Sequence, residues 1–406
     1  MKKFISLFLV ITCLLGCFAV LTSCSKNKNN KTENKSYKIG VLREDDSSGE
    51  AAAWEEYLKT VGRSMNVTFD FTTTSSSESE VSAINTYASK GYNGILLFSD
   101  DDVIASVNAA ATKKMHVVLP TGHPTEAQYQ ELKDIPYYLG SVAPVDDTEY
   151  QAGYDMAKFF VETKGQKNFT IFGGATCYAV SMHVQRLAGI LAYLCEDSGT
   201  SYDGVKTRTE LVDKVAGAGV DPSKFTSSVY SIKGYMDGFA FDDAFSTKLT
   251  NSLTAGGTCI LTVGAGDAVT GIAFGISQGA NVENIMVGGV DAITSAYADS
   301  FDIGYTYDCG KFASAMGPGL VLMMSALEGN KIVDNDGNAP KIGMSYWVAT
   351  SKEELDQMLK SDNKTDGFCY NKEVLEHFIG NTYEEFIKLC SADYNEAVDI
   401  YNQYNK

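Results

Sequence analysis

The chain has 406 residues, 51 of them acidic and 33 basic, for a formal net charge of −18 at pH 7. That balance excludes the basic surface on which nucleic-acid binding depends and describes a soluble, self-repelling domain. Four scattered histidines and nine cysteines with no C-x-x-C spacing offer no ligand set for a structural zinc.

Lys2 and Lys3 open the chain, and an apolar run follows from Phe4 to Val20. It is slightly shorter than the roughly 20 residues that span a bilayer, and its basic-then-apolar order is that of an export signal. It ends in Leu21-Thr22-Ser23-Cys24, which resembles the bacterial lipobox. The resemblance implies cleavage after residue 23, leaving Cys24 as a lipidated first residue. Two acyl chains would anchor it stably. Residues 25–36, SKNKNNKTENKS, carry no apolar side chain and read as a flexible tether. A coil of that length spans roughly 20 Å. The body of the protein is therefore expected on the extracytoplasmic side of a bacterial membrane, held by lipid, as a monomer.

Strand-like and helix-like stretches then alternate. YKIGVL (37–42) reads as a strand, and Trp54, Tyr57, Leu58, Val61 and Met65 follow at helical spacing. VTFDF (67–71), a helix through Val81, Ile84 and Ala88, and GILLF (94–98) come next. Ser99 and three aspartates stand where a helix start favours them. HVVLP (116–120) and YYLGS (137–141) complete the first set. The second set is NFTIF, a helix near 179–196, SVYSI, a helix near 241–255, CILTV, a helix near 267–278, and NIMVG. Near-continuous apolar strands separated by helices indicate parallel sheets covered on both faces. The expected fold class is α/β, with two doubly wound lobes joined by three crossings near 140, 305 and 346. Residues 37–140 with about 308–345 form the first lobe. Residues 141–307 with about 346–350 form the second, with an insertion near 198–238. Residues 351–406 form a helical extension.

Ligands of doubly wound lobes bind beyond the carboxyl ends of the strands. There the first lobe carries Arg43-Glu44-Asp45-Asp46, Ser99-Asp100 and Thr121-Gly122-His123. The second carries Gly173 to Tyr178, Gly264-Ala265-Gly266-Asp267 and Gly289-Val290-Asp291. Asp45, Ser99, Thr121, Tyr178, Asp267 and Asp291 are candidate ligand contacts on this ground. Capping alone accounts equally for Asp267, and His183 reads as structural. Among the cysteines, Cys259 lies in an apolar run and is expected as a buried thiol, and Cys369 with Cys390 is the one disulfide considered.

Three segments carry a wider likeness: GYNGILLFSDDDVIASVNAAATKKMHVVLPTG, ILTVGAGDAVTGIAFGISQGA and NIMVGGVDAITSAYADSFDIGYTYDCGKFASAMGPGLVLMMSALEG. Over about residues 37–350 the chain resembles the type I periplasmic-binding-protein fold, especially the sugar-binding components of bacterial ABC importers. The resemblance implies a non-catalytic receptor that closes on a small polar ligand, sugar or sugar-like, and delivers it to an ABC permease without any cofactor. Asp291 matches that family's Gly-x-Asp carboxylate. Asp267 matches the acid of its Asn-Asp, with Gly266 in place of the asparagine. Arg186 matches an arginine near a second-lobe helix start, and Tyr307 falls near a polar amide on the strand returning to the first lobe. The aromatic pair after the first strand is absent, and Thr121-Gly122 replaces an acidic-plus-arginine dipeptide. A nucleoside receptor of the same fold, or a ligand sensor for a signalling system, is the alternative. Gly275-Ile276-Ser277-Gln278-Gly279 matches G-x-S-x-G but lies at the end of an expected helix, not after the strand a nucleophile elbow needs.

Overall fold

The computed structural model describes residues 35–44, 46–98, 102–264, 266–280, 284–362 and 369–405. Cys24, the apolar run before it and most of the tether lie outside the described residues. Tyr37–Lys406 pack as one compact unit. Among the described residues, no helix is long and apolar enough to cross a membrane.

The first lobe alternates β1 (Tyr37–Arg43), α1 (Gly49–Met65), β2 (Val67–Thr73), α2 (Ser77–Ser89), β3 (Gly94–Leu97), α3 (Val103–Thr112), β4 (His116–Leu119), α4 (Glu126–Leu132) and β5 (Tyr138–Ala143). The second takes α5 (Asp146–Lys158), β6 (Asn168–Gly173), α6 (Ser181–Ser198), α7 (Arg208–Ala218), β7 (Ser231–Asp237), α8 (Asp243–Thr254), β8 (Cys259–Thr262), α9 (Gly266–Ala280), β9 (Met286–Ala292) and β10 (Tyr305–Lys311). The chain then returns through α10 (Met316–Leu327) and β11 (Lys341–Gly343) to the first lobe, and by β12 (Trp347–Ala349) to the second. Helices α11 (Lys352–Asp362), α12 (Lys372–Phe378), α13 (Tyr383–Cys390) and α14 (Tyr394–Tyr404) form the extension.

The two six-stranded sheets run β2-β1-β3-β4-β5-β11 and β7-β6-β8-β9-β10-β12. Every pairing is parallel except that of β12 with β10. Strands buried on both faces need apolar side chains at every position, which explains the unbroken runs GILL and CILT. Ile39 and Val41 pack with Leu58 and Val61 of α1, whereas Leu42 packs on the opposite face with Ile84 of α2 and Val107 of α3. In the second lobe, Ile171 and Leu261 pack with Met156 of α5 and Leu187 of α6, and Phe172 and Ile260 pack with Leu249 of α8 and Val269 of α9.

The boundaries differ from the sequence reading in two places. The strand through Tyr307 stays in the second sheet as far as Lys311, because its register with β9 runs on to Lys311 opposite Ala292. The second crossing therefore falls after Lys311, beside 143–146 and 343–347 for the other two. Strand β7 begins at Ser231, set by pairing of Ser231 with Asn168, so it occupies the end of the 198–238 segment and α7 the middle. Cys177, Cys195, Cys259, Cys309, Cys369 and Cys390 are all free, and Cys369 and Cys390 are buried without bonding.

Two local devices hold the helices and the second crossing in place. A Cβ on Gly153 would overlap the Arg186 carbonyl, and one on Gly189 would overlap the Tyr150 carbonyl. These glycines let α5 and α6 touch backbone to backbone. The extension, for its part, reaches the second crossing. The Asp362 carboxylate accepts from the Ala313 and Ser314 amides at 2.7 and 2.6 Å, and Phe312 is stacked between Trp347 (3.8 Å) and Tyr370 (5.8 Å).

Candidate functional site

Aromatic and acidic side chains stand beyond the strand ends of both lobes. On the first lobe, Ser48 caps α1 by accepting from the Ala51 amide. This fixes the first turn, with Glu50 and Trp54 one turn apart. The Trp54 ring lies 5.2 Å from Phe98 at the end of β3. On the second lobe, Phe239 after β7 stacks on Tyr178 after β6 at 5.8 Å, and His183 meets both rings edge-on. A Cβ on Gly264 would stand 2.9 Å from the Phe239 ring, so the loop after β8 lies directly against it.

The lobes meet at Lys311. Its Nζ is 3.4 Å from Glu50 and 5.3 Å from the centre of the Trp54 ring. Burial raises the Glu50 carboxyl, and Lys311 opposes that shift. Burial, with Arg186 nearby, pushes His183 down to about 4, so its ring is neutral at physiological pH. His183 Nδ1 and Trp54 Nε1 are buried and make no hydrogen bond among the described residues.

Asp291, half-buried at the end of β9, accepts from the Tyr297 hydroxyl at 2.6 Å. Asp267 lies in the first turn of α9, where the helix dipole favours a negative charge. Asp237 accepts from the Thr176 amide and the Tyr235 hydroxyl. Tyr178 is 48% exposed at the lip, and Thr121 is half-buried at the end of β4. The structure thus brings Tyr178, Asp267 and Asp291 to the second-lobe side. Asp45 and Ser99 lie outside the described residues.

Two expected contacts are placed elsewhere. Arg186 is 3% exposed, beneath the cleft floor. Its Nε donates to Glu149 at 2.6 Å, Nη1 to the carbonyls of Val263 and Val290 at 2.8 and 2.9 Å, and Nη2 to the Tyr346 hydroxyl at 2.7 Å. Tyr346 in turn donates to Glu149 at 2.7 Å. Glu149 follows the first crossing and Tyr346 lies in the third, so Arg186 ties both to the ends of β8 and β9. Tyr307 is 3% exposed and packs on Phe159 at 5.2 Å, inside the core of the second lobe. Lys311, four residues on, reaches the cleft in its stead. Glu50, Trp54, Phe98, His183, Phe239 and Lys311 were not among the residues expected at the site. The available signal was a bulky or charged residue just beyond a strand end. Trp54 was obscured by its place in the core-facing helical repeat.

Among solved structures, the chain is similar to a solute-binding protein from Actinobacillus succinogenes 130z with bound D-allose: 16% identity, TM-score 0.52, covering 79% of this chain and 100% of that one. A twin-arginine translocation pathway signal protein from Burkholderia phytofirmans gives 15% identity and TM-score 0.54, covering 80% and 93%. A solute-binding protein from Bacillus halodurans C-125 with bound myo-inositol gives 12% and 0.51, covering 81% and 99%. The fold is that of the type I periplasmic binding proteins. No protein-family model and no curated protein sequence matches the chain. In a type I periplasmic-binding-protein fold the cleft lies where the two sheets' strand ends face one another, and here those ends carry the aromatic and acidic side chains. G-x-S-x-G falls within the last turns of α9, away from any strand end.

Proposed function

We propose that the protein is an extracytoplasmic solute-binding lipoprotein that captures a small polar ligand between its lobes and delivers it to an ABC importer. One observation carries the reading. Aromatic pairs stand beyond the strand ends of both lobes, Trp54 with Phe98 on the first and Tyr178 with Phe239 on the second, and Lys311 of the second lobe reaches Glu50 and the Trp54 ring of the first. Aromatic faces give a sugar-like ring a surface to lie on, and carboxylates accept from its hydroxyls. Neighbours of the same fold hold D-allose and myo-inositol. Asp291, Asp267, Tyr178 and Thr121 act as ligand contacts in this reading, with Trp54, Phe98, His183 and Phe239. Cys24 carries the lipid, and the three crossings act as hinges whose open and closed states the ligand shifts.

Small-angle scattering tests the mechanics. A chain beginning at Ser25, screened against sugars, polyols, nucleosides and amino acids, should become more compact on saturation with a ligand that binds. An unchanged radius with a tightly bound ligand refutes lobe closure. Replacing Cys24 with Ala in the full chain should abolish incorporation of labelled fatty acid. Continued labelling would remove the anchor from the reading.

A further inference from the structure

Positive charge is placed unevenly on this acidic chain, and it gathers where the tether meets the body. Every pairing of the first sheet is parallel, so its strands start along one edge and the turns before them stand together. Exposed Lys38 stands at the start of β1, Lys90 follows α2, and Lys113 and Lys114 follow α3. These turns are joined. The Asn93 amide donates to the Lys38 carbonyl and the Lys38 amide to Asn93 Oδ1, both at 2.8 Å. The His116 amide donates to the Asn93 carbonyl at 3.3 Å. Lys331, after α10, donates to the Tyr138 carbonyl at 2.9 Å. Burial and then the Lys331 ammonium push His116 down, which places Lys331 beside the same turn.

Among the described residues, none of these five lysines makes an ion pair, whereas Arg43 and Lys59 of the same lobe pair with Glu55, and Lys341 with Glu126. The acids close by are Asp70, which accepts from Tyr92, and Glu328, whose charge acts on Tyr37. Beyond β5 the sign reverses, with Asp134, Asp334 and Asp336. The matching end of the second sheet mixes Lys164 and Lys167 with Glu162 and Asp197. Helix dipoles favour Lys90 and Lys113 where they stand, but they do not explain Lys38 in a strand. Lys114 has φ +59°, a left-handed conformation that glycine ordinarily supplies after a helix. A lysine there keeps a charge at a conformational cost.

We propose that this end of the first lobe is a resting face that settles on the anionic lipid headgroups of the membrane, a proposal that rests on the extracytoplasmic lipoprotein reading. Connectivity brings the face within reach. Tyr37 directly follows the tether, whose four lysines outnumber its one glutamate, and a coil of that length spans roughly 20 Å. The net charge of −18 does not prevent contact, because charges farther off than about 8 Å are screened at physiological salt. Each lysine brought to an anionic surface raises the resting population about fivefold. Strand β1, seven residues long, holds its carboxyl end roughly 20 Å from its start. Resting therefore lifts the candidate ligand-binding edge off the bilayer, and delivery requires the body to tip.

Energy transfer tests the orientation. The chain beginning at Ser25, with an N-terminal hexahistidine tag, is held on vesicles by a nickel-chelating lipid. Cys177→Ser removes the exposed thiol, and Ser89→Cys places a donor dye beside Lys90. Transfer to an acceptor on the lipid headgroups is compared between phosphatidylcholine vesicles and vesicles of equal parts phosphatidylcholine and phosphatidylglycerol. It should rise on the anionic vesicles and return to the neutral level near 1 M salt, where the screening length is about 3 Å. Replacing Lys38, Lys90, Lys113 and Lys114 together with Gln should lower the ratio of resting to upright bodies by at least about tenfold, with the melting temperature unchanged. Replacing exposed Lys206 and Lys248 of the second lobe with Gln should leave that ratio as it was. Equal transfer on both kinds of vesicle, or a rise that survives the fourfold replacement, overturns the resting face. Equal losses in the two sets of variants overturn it as well. The tag supplies the anchor, so the result does not depend on lipid at Cys24, which the fatty-acid experiment decides separately.

Discussion

The placement of Arg186 makes the most exposed claim, because its position in the sequence fits a ligand contact whereas its surroundings fit a structural tie. Substituting Arg186→Met keeps much of the volume and removes four donated hydrogen bonds. Glu149 is left as a buried carboxylate with the Tyr346 hydroxyl as its remaining partner. Removing one member of a buried ion pair costs about 3–5 kcal/mol. The carbonyls of Val263 and Val290 lose their donor, at about 1–3 kcal/mol for each that stays dry. The expected loss is about 5 kcal/mol or more, against a total of about 5–15 kcal/mol for a typical protein. Urea unfolding of wild type, Arg186→Met and the double variant Glu149→Met/Arg186→Met measures it. The double variant should recover at least about 1 kcal/mol of the loss, because no charge is stranded. A folded Arg186→Met protein within about 1 kcal/mol of wild type by the same mutational yardstick, and with ligand affinity lost, would place Arg186 in the cleft and refute the tie.

Gly189→Ala should destabilise the second lobe by about 2 kcal/mol or more, since its methyl would overlap the Tyr150 carbonyl and crowd the Tyr154 amide, backbone groups that cannot swing aside; an unchanged denaturation midpoint would contradict the close approach of α5 and α6. Asp362 predicts a pH dependence. Burial raises its carboxyl from 3.8 to about 6, opposed by the Ser314 and Ala313 donors, so the folded state binds its proton more tightly than the unfolded chain. Its contribution is full below about pH 4 and is lost as pH rises through 6, worth up to about 3 kcal/mol. Asp362→Asn should flatten that part of the stability profile, and a profile identical to wild type between pH 4 and 6 would refute it. Cys177 is the exposed thiol, whereas Cys259, Cys309, Cys369 and Cys390 are buried. In the chain beginning at Ser25, a thiol reagent should modify Cys177 first, and Cys177→Ser should remove that fast phase.

The alternation of apolar runs and helical repeats reveals both sheets, because a strand covered on two faces leaves a local mark in the sequence. The positions of Asp291 and Asp267 follow from the same reading: Asp291 stands at the end of β9 and Asp267 shortly after β8, each close behind a glycine. The place of Arg186 does not. Its partners Glu149, Val263, Val290 and Tyr346 are brought to it by four different elements, and no spacing records that convergence. Trp54 shares a helical stripe with Tyr57, Leu58, Val61 and Met65. Those four are buried, while Trp54, one turn nearer the strand end, overhangs the sheet and meets Phe98. Tyr307 and Lys311 lie on one strand, and only the register of β10 against β9 decides which of them reaches the edge.

The threading of the chain through its two sheets sets an order of assembly. Five neighbouring strands of the second sheet, β7-β6-β8-β9-β10, come from the continuous stretch between Asn168 and Lys311. The first sheet takes its edge strand from Lys341–Gly343, and the face that carries Leu58 is covered by Leu320 and Met323 of α10. Tyr57 of α1 even donates to the carbonyl of Tyr370 at 2.8 Å, a contact between residues 313 positions apart. Contacts so distant along the chain close late, since the loop entropy is lost before they form. The lobe that begins the sequence is therefore the one that finishes folding last. In pulse-labelled hydrogen exchange during refolding, the amides of β6, β8 and β9 should gain protection before those of β1 and β3, and the reverse order would refute this sequence of events.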